Sequence, residues 1–393
     1  MNTNKTGANA FTEKNFDTKL PDIGTSIFAV MSGLARKEGA VNLSQGFPDF
    51  PIDPELIDLV QHFMRKGYNQ YAPMPGVPPL LKALAGKIEK LYGNTVNAQE
   101  EITVTAGATQ AIFTAVQALI HPGDEVILFE PAYDSYVPSV KLAGGKPVFI
   151  SLEKPDFHID WDEVSRCITP RTRMIILNSP NNPGGYVLGE EDIERLRQIT
   201  RDTDIIILSD EVYEHIIFDG LPHLSLLKYP DLYLRSIVIF SFGKTFHATG
   251  WKTGYAVAPP NLTKAFRKVH QFNVFSVNTP VQYALAEYLK NPAHYESLPG
   301  FYQAKRDRFI EGIRGSRWKI LPTHGTYFIV LDYSDISDEP EFDFAVRLTR
   351  EHKIASIPLS SFYHDGKNQQ LLRFCFAKTP EVLDSAIEIL RGM

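Results

Sequence analysis

The sequence predicts an α/β protein, with a large domain built on a mostly parallel sheet flanked by helices and a smaller α+β domain beside it. Three observations carry that expectation. From Glu101 to Pro260 short apolar runs alternate with helical stretches, the pattern of a parallel sheet covered on both faces. The runs are rich in β-branched and aromatic residues and close on Gly, Ser, Asn or Asp, as buried strands do. After Pro280 the alternation stops, and a long helical tract leads into strands arranged about a glycine turn.

Taken in order, the first twenty residues are polar and read as an unstructured arm, and Pro21–Arg36 then shows helical periodicity. VNLSQGFPDFPIDP is extended by its Gly and Pro content. Pro54–Lys66 and Leu80–Leu91 read as helices, separated by the aromatic turn NQYAPMPG. Strands follow in EITVT, DEVILFE, GKPVFISL, TRMIILN, DTDIIILSD, SIVIFS and TGYAVAPP, the third an edge strand by its proline. Helices over Gln282–Lys290 and Phe301–Arg314, the strand pair of WKILPTHGTYFIVLDY, a helix near Phe342–His352, strands near Ile354–Pro358 and Gln370–Phe376 and a final helix complete the chain. A boundary near Val281 divides a large domain, 50–281, from a small one made of 1–49 and 282–393.

Composition removes several classes of function. A net charge of −6 gives no electrostatic reason to expect nucleic acid or an anionic membrane as partner. No stretch reaches the ~18 uninterrupted apolar residues of a membrane span. The two cysteines, Cys167 and Cys375, form no CxxC, which fits a reducing, cytoplasmic setting. The eleven histidines form no HExxH, so no metal is expected.

In an open α/β sheet, ligands bind outside the carboxyl ends of the strands. This chain places there, strand by strand, Gly107-Ala108-Thr109 opening a helix, then Tyr133, then Asn182, then Asp210 with Tyr213, then Ser241 with Lys244. A helix N-terminus favours phosphate. A lysine at the mouth of a core loses water, and its amine becomes nucleophilic. The set meets the needs of pyridoxal 5′-phosphate one by one: an amine for the aldehyde, a carboxylate for the ring nitrogen, donors for the ring oxygen, an aromatic for its face and a cradle for its phosphate. Singly, each residue has a plainer reading: Asp210 as a helix cap, Tyr133 and Tyr71 as packing, Arg373 as a strand-face ion pair, His247 and His270 as structural, Cys375 as a small core residue. Coincidence at five successive strand ends favours the joint reading.

The motifs LSQGFPDF, NQYAPMPG, TAGATQA, EPAYDSY, NSPNNPGG, SDEVYEH, SFGKTFHATGWKTGY and LRFCFA, in this order, resemble the class I/II aminotransferases of fold type I, over essentially the whole chain. Within them the chain looks most like the kynurenine/glutamine transaminase branch and its bacterial methionine aminotransferases. The resemblance implies Lys244 as the Schiff-base lysine and proton carrier, with Asp210 and Tyr213 beside it in the catalytic set. Gly107, Ala108, Thr109, Tyr133, Asn182, Ser241 and Lys252 would bind the cofactor, and Tyr71 would reach the phosphate of a second subunit in a homodimer with shared active sites. Arg373, Asn182, Gly46 and Phe275 would bind the amino acid and 2-oxo acid substrates. Lys252 departs from the broader family's arginine, keeping the charge and losing the fork. No arginine lies between Arg267 and Arg306, so methionine and aromatic amino acids are expected over aspartate. A cysteine-conjugate β-lyase or a kynurenine/glutamine transaminase would share every cofactor residue and stands as the alternative.

Overall fold

The pleat of a strand sends successive side chains to opposite faces, so a strand covered on both faces must be apolar throughout. Strands of this kind dominate the computed structural model, which describes residues 18–393; the expected arm falls mostly outside them. The first strand, β1 (Val41–Asn42), belongs to the smaller unit. It is followed by β2 (Ile102–Thr105), β3 (Glu125–Glu130), β4 (Lys146–Ser151), β5 (Thr172–Asn178), β6 (Ile206–Asp210), β7 (Ser236–Ser241) and β8 (Gly254–Val257). These seven form one sheet in the order β2-β8-β7-β6-β5-β3-β4, with β4 on the edge where Pro147 costs no central ladder bond. β8 alone runs opposite to the other six strands. Ile127, Ile175, Ile207 and Val238 point into one core, while Val126, Met174, Leu208 and Ile239 point into a second beneath the helix Ala108–Leu119.

The smaller unit holds the antiparallel sheet β12-β13-β10-β9, from β9 (Lys319–Ile320), β10 (Phe328–Asp332), β12 (Ile357–Pro358) and β13 (Leu371–Cys375). β1 pairs in parallel with β11 (Ile354–Ala355), and Cys375 N–H donates to Leu43 O at 2.8 Å, tying the N-terminal segment to this unit. The helix Thr279–Tyr288 runs through the expected boundary at Val281 and packs on the helices Pro54–Arg65 and Pro78–Tyr92. Among the described residues no helix is long and apolar enough to cross a membrane.

A buried polar network anchors the turn after β6. Lys87 Nζ meets Glu214 Oε1 at 2.5 Å, and the Tyr92 hydroxyl donates to the other oxygen of the same carboxylate. Glu211 accepts from Ser209 Oγ at 2.8 Å and from Leu226 N–H at 3.1 Å, with His223 Nε2 at 2.8 Å. These bonds grip both sides of the segment that carries Asp210 and Tyr213. Lys87→Met strands a buried carboxylate and is expected to cost about 3–5 kcal/mol of stability. Urea unfolding measures it, and adding Glu214→Gln is expected to restore part of the loss.

Candidate active site

Register brings the carboxyl ends of the parallel strands to one edge, with Asn178 beside Asp210, Asp210 beside Ile239, and Ser241 beside Gly254 and, beyond it, Thr105. Gly254 is a glycine because a Cβ there would stand 2.6 Å from Phe240 O and 3.1 Å from Ala108 N. That close approach seats the N-terminus of the helix Ala108–Leu119 on the sheet. Gly107, at φ +79, caps this helix without any side chain, so the first-turn amides and the dipole's positive end face the cavity. The Lys252 ammonium lies against the same turn, 3.4 Å from where a Gly107 Cβ would stand.

Asp210 is buried at the end of β6. One of its oxygens accepts from Tyr136 Oη at 2.6 Å and the other from Val212 N–H at 3.3 Å. Burial pushes its carboxyl up to about 6, against the pull of the Tyr136 hydroxyl, the Val212 amide and, through space, Lys244. Tyr133 sits edge-on to Tyr136, its hydroxyl 3.3 Å from Thr109 Oγ1. Burial lifts the Tyr213 hydroxyl far above its usual range, which keeps it a neutral donor at any working pH.

Lys244 occupies the short helix after β7, where Nζ donates to Tyr327 Oη at 2.8 Å and to Gly46 O at 3.2 Å. Burial pulls its ammonium down to about 8. Arg373, on β13, is only 1 % exposed and lies under the Phe328 ring at 3.9 Å. Nη1 donates to Asn182 Oδ1 at 2.9 Å and Nη2 to Ser44 O at 3.2 Å, while Nε is buried without a partner. Burial lowers this guanidinium to about 10, and Asp134 offsets the shift only through space. A chain of amides links Arg373 to the backbone of Asp210: Asn182 N–H donates to Asn178 Oδ1 at 2.8 Å, and Asn178 Nδ2 donates to the Asp210 main-chain carbonyl at 3.0 Å.

Gly107, Ala108, Thr109, Tyr133, Asn182, Asp210, Tyr213, Ser241, Lys244 and Lys252 all line one cavity, with about 680 Å³ of atom-free space including its mouth. That is the scale of a small-molecule or cofactor cleft. Gly46 and Arg373 adjoin it through their bonds to Lys244 and Asn182. Residues 38–390 match the family Aminotransferase class I and II. The chain belongs to that family. This aminotransferase is 48% identical over 377 residues to methionine aminotransferase of Escherichia coli, covering 96% of this chain and 98% of that one. It is 35% identical to human kynurenine–oxoglutarate transaminase 1, over 91% and 93% of the two chains. Among solved structures, the E. coli methionine aminotransferase superposes with a TM-score of 0.95 at 47% identity, covering 97% and 100% of the chains. N-succinyldiaminopimelate aminotransferase of Mycobacterium tuberculosis gives 0.92 at 36%, covering 96% and 100%. Enzymes of this family work with pyridoxal phosphate.

Two expected site residues lie elsewhere in the aminotransferase chain: Tyr71 is 83% exposed and stacks edge-on with the exposed Phe275, outside the cavity lining. Three residues that sequence reasoning passed over hold the site together: Tyr136, Asn178 and Tyr327. Tyr136 was within reach, since it stands three residues beyond Tyr133 in EPAYDSY. His247 packs among Phe50, Phe301 and Tyr302, and Cys375 is fully buried.

The raised carboxyl has a measurable consequence. Its folded value, about 6, lies above the unfolded ~3.9, so its contribution to stability is present below pH ~4 and is lost as pH rises through 6. The gap corresponds to about 3 kcal/mol at neutral pH. Asp210→Asn is therefore expected to raise the unfolding free energy of the cofactor-free protein at pH 8 by about 1–3 kcal/mol. The gain is expected to vanish near pH 4, as chemical denaturation at the two pH values will test.

Proposed function

We propose that this aminotransferase moves the amino group of methionine or an aromatic L-amino acid to a 2-oxo acid, using pyridoxal 5′-phosphate in the cavity at the strand ends. The observation that carries the reading is a lysine set between two buried charges of opposite sign, neither of which has an ion-pair partner among the described residues. Asp210 has only neutral donors, so a protonated ring nitrogen fits beside it. Arg373 has carbonyl acceptors and an orphaned Nε, so a carboxylate fits there. The bound cofactor supplies an electron sink for charge developing at the substrate Cα.

The chain's own residues would then divide the work. First-turn amides from Gly107 to Thr109, Ser241 and Lys252 hold the phosphate, and Tyr133 covers the ring. Asn182 and Tyr213 donate to the ring oxygen, and Asp210 keeps the ring nitrogen protonated. Lys244 is the attachment point and the base and acid that moves the proton at Cα. Arg373, with Asn182 and the backbone of Gly46, clamps the α-carboxylate. Tyr71 and Phe275, exposed on a single chain, serve the site of a second copy in a homodimer. Two free cysteines, Cys167 and Cys375, favour a cytoplasmic setting. The activity named for the E. coli relative and the arginine-free stretch between Arg267 and Arg306 support an apolar or thioether side chain in the substrate.

Two outcomes test this. In a panel of amino donors, methionine and the aromatic amino acids are expected to turn over several-fold faster than aspartate; the reverse order contradicts the specificity. Arg373→Lys loses the planar fork and is expected to raise KM for amino and oxo acids alike by about 10- to 100-fold, with the cofactor still bound. An unchanged KM for both rules out the carboxylate role.

A further inference from the structure

A neutral lysine amine has two N–H bonds and one lone pair, so fixing both hydrogens fixes the direction of the lone pair. Lys244 Nζ has two acceptors, Tyr327 Oη at 2.8 Å and Gly46 O at 3.2 Å. Tyr327 itself donates to Gly46 O at 2.7 Å, so its oxygen meets Lys244 as an acceptor. The three groups close a triangle on the side of Nζ that belongs to the smaller unit.

Tyr327 is held by both its backbone and its ring. Its carbonyl accepts from Phe376 N–H at 3.0 Å, and its neighbour Thr326 donates its N–H to Ile216 O at 2.9 Å. Its ring has no exposure and packs edge-on to Tyr213, 5.2 Å between centroids, and against Phe328 at 4.9 Å. A phenylalanine would fill this space equally well; the hydroxyl accepts from Lys244 and donates to Gly46 O, with the Tyr213 hydroxyl as a further neighbour.

We propose that Tyr327 is a positioning residue that, with the Gly46 carbonyl, takes both hydrogens of the Lys244 amine and turns its lone pair toward the substrate Cα. The inference rests on the role given to Lys244 above. In the step it serves, the Cα–H bond breaks, the proton joins the lone pair on Nζ, and the electron pair stays with the bound substrate. The new ammonium keeps its two anchored hydrogens and carries the transferred proton on the cavity side, ready to return it. Gly46 lies two residues from Ser44, whose carbonyl accepts from Arg373, so the segment that touches the carboxylate-binding cation also orients the lysine.

Tyr327→Phe removes the acceptor and leaves the packing. In single-turnover reactions of the cofactor-loaded protein with L-methionine, the rate is expected to fall about 10- to 100-fold. The half-saturating methionine concentration is expected to stay within about twofold. Deuterium at Cα is expected to slow the variant more than it slows the parent. Cofactor-free protein gives a second readout: the pH midpoint for modification of Lys244 by trinitrobenzenesulfonate, followed by peptide mass spectrometry. It is expected to fall below the parent's, because the ammonium loses a hydrogen-bond acceptor in a dry site. Parent-like rate, isotope effect and midpoint in Tyr327→Phe, with Lys244→Ala inactive, overturn the proposal. Retained proton transfer in Lys244→Ala overturns the reading beneath it and this proposal with it.

Discussion

A guanidinium sealed inside a protein without an acid beside it is the constraint on which the site depends. Arg373 is enclosed by Phe28, Phe328 and Phe362, and its hydrogen bonds go to a carbonyl and an amide oxygen, neither of them charged. Burial of an unpaired charge is costly, and a ligand that brings the opposite charge recovers that cost on binding. Asp210 stands in the same position with the sign reversed. The cavity beside them therefore suits a ligand that is cationic at one end and carries a carboxylate at the other, the pairing on which the proposed function rests. The relay Arg373–Asn182–Asn178–Asp210 keeps the two ends at a fixed separation.

The fold places these charges by drawing them from two separate sheets. Seven strands with apolar faces on both sides form a stiff platform, and the network of Lys87, Glu211 and Glu214 pins the turn after β6 to it. Arg373, Tyr327 and Gly46 come instead from the smaller unit and the segment tied to it through β1 and β11. The lysine meets groups from both units, so any change in their packing is felt at Nζ. Buried charge without an ion-pair partner is placed at the candidate site, the common exchange of stability for activity.

Much of this was legible in the sequence because it depends on local signals. Strand runs, glycine turns and polar strand ends lie within a few residues of one another, and topology then requires that they converge. The edge position of β4 could be read from Pro147, and the pairing of β7 with β8 from their short separation. The partners of the charges could not be read. Tyr136, Asn178 and Tyr327 are ordinary strand-end or helix residues whose roles arise from contacts 74, 32 and 83 positions along the chain. The helix across Val281 shows the same limit, since its packing on Pro54–Arg65 is not encoded near residue 281. Tyr71 and Phe275 could be named from motifs, but their exposed placement outside the cavity could not.

The central claim is that Lys244, between Asp210 and Arg373, is the point at which the cofactor is held. Borohydride reduction of the pyridoxal-phosphate-loaded protein, followed by proteolysis and peptide mass spectrometry, tests it most directly. The label is expected on the peptide containing Lys244 and on no other lysine, at one per chain. A label carried by Lys252 or any other lysine, with Lys244 unmodified, would contradict it.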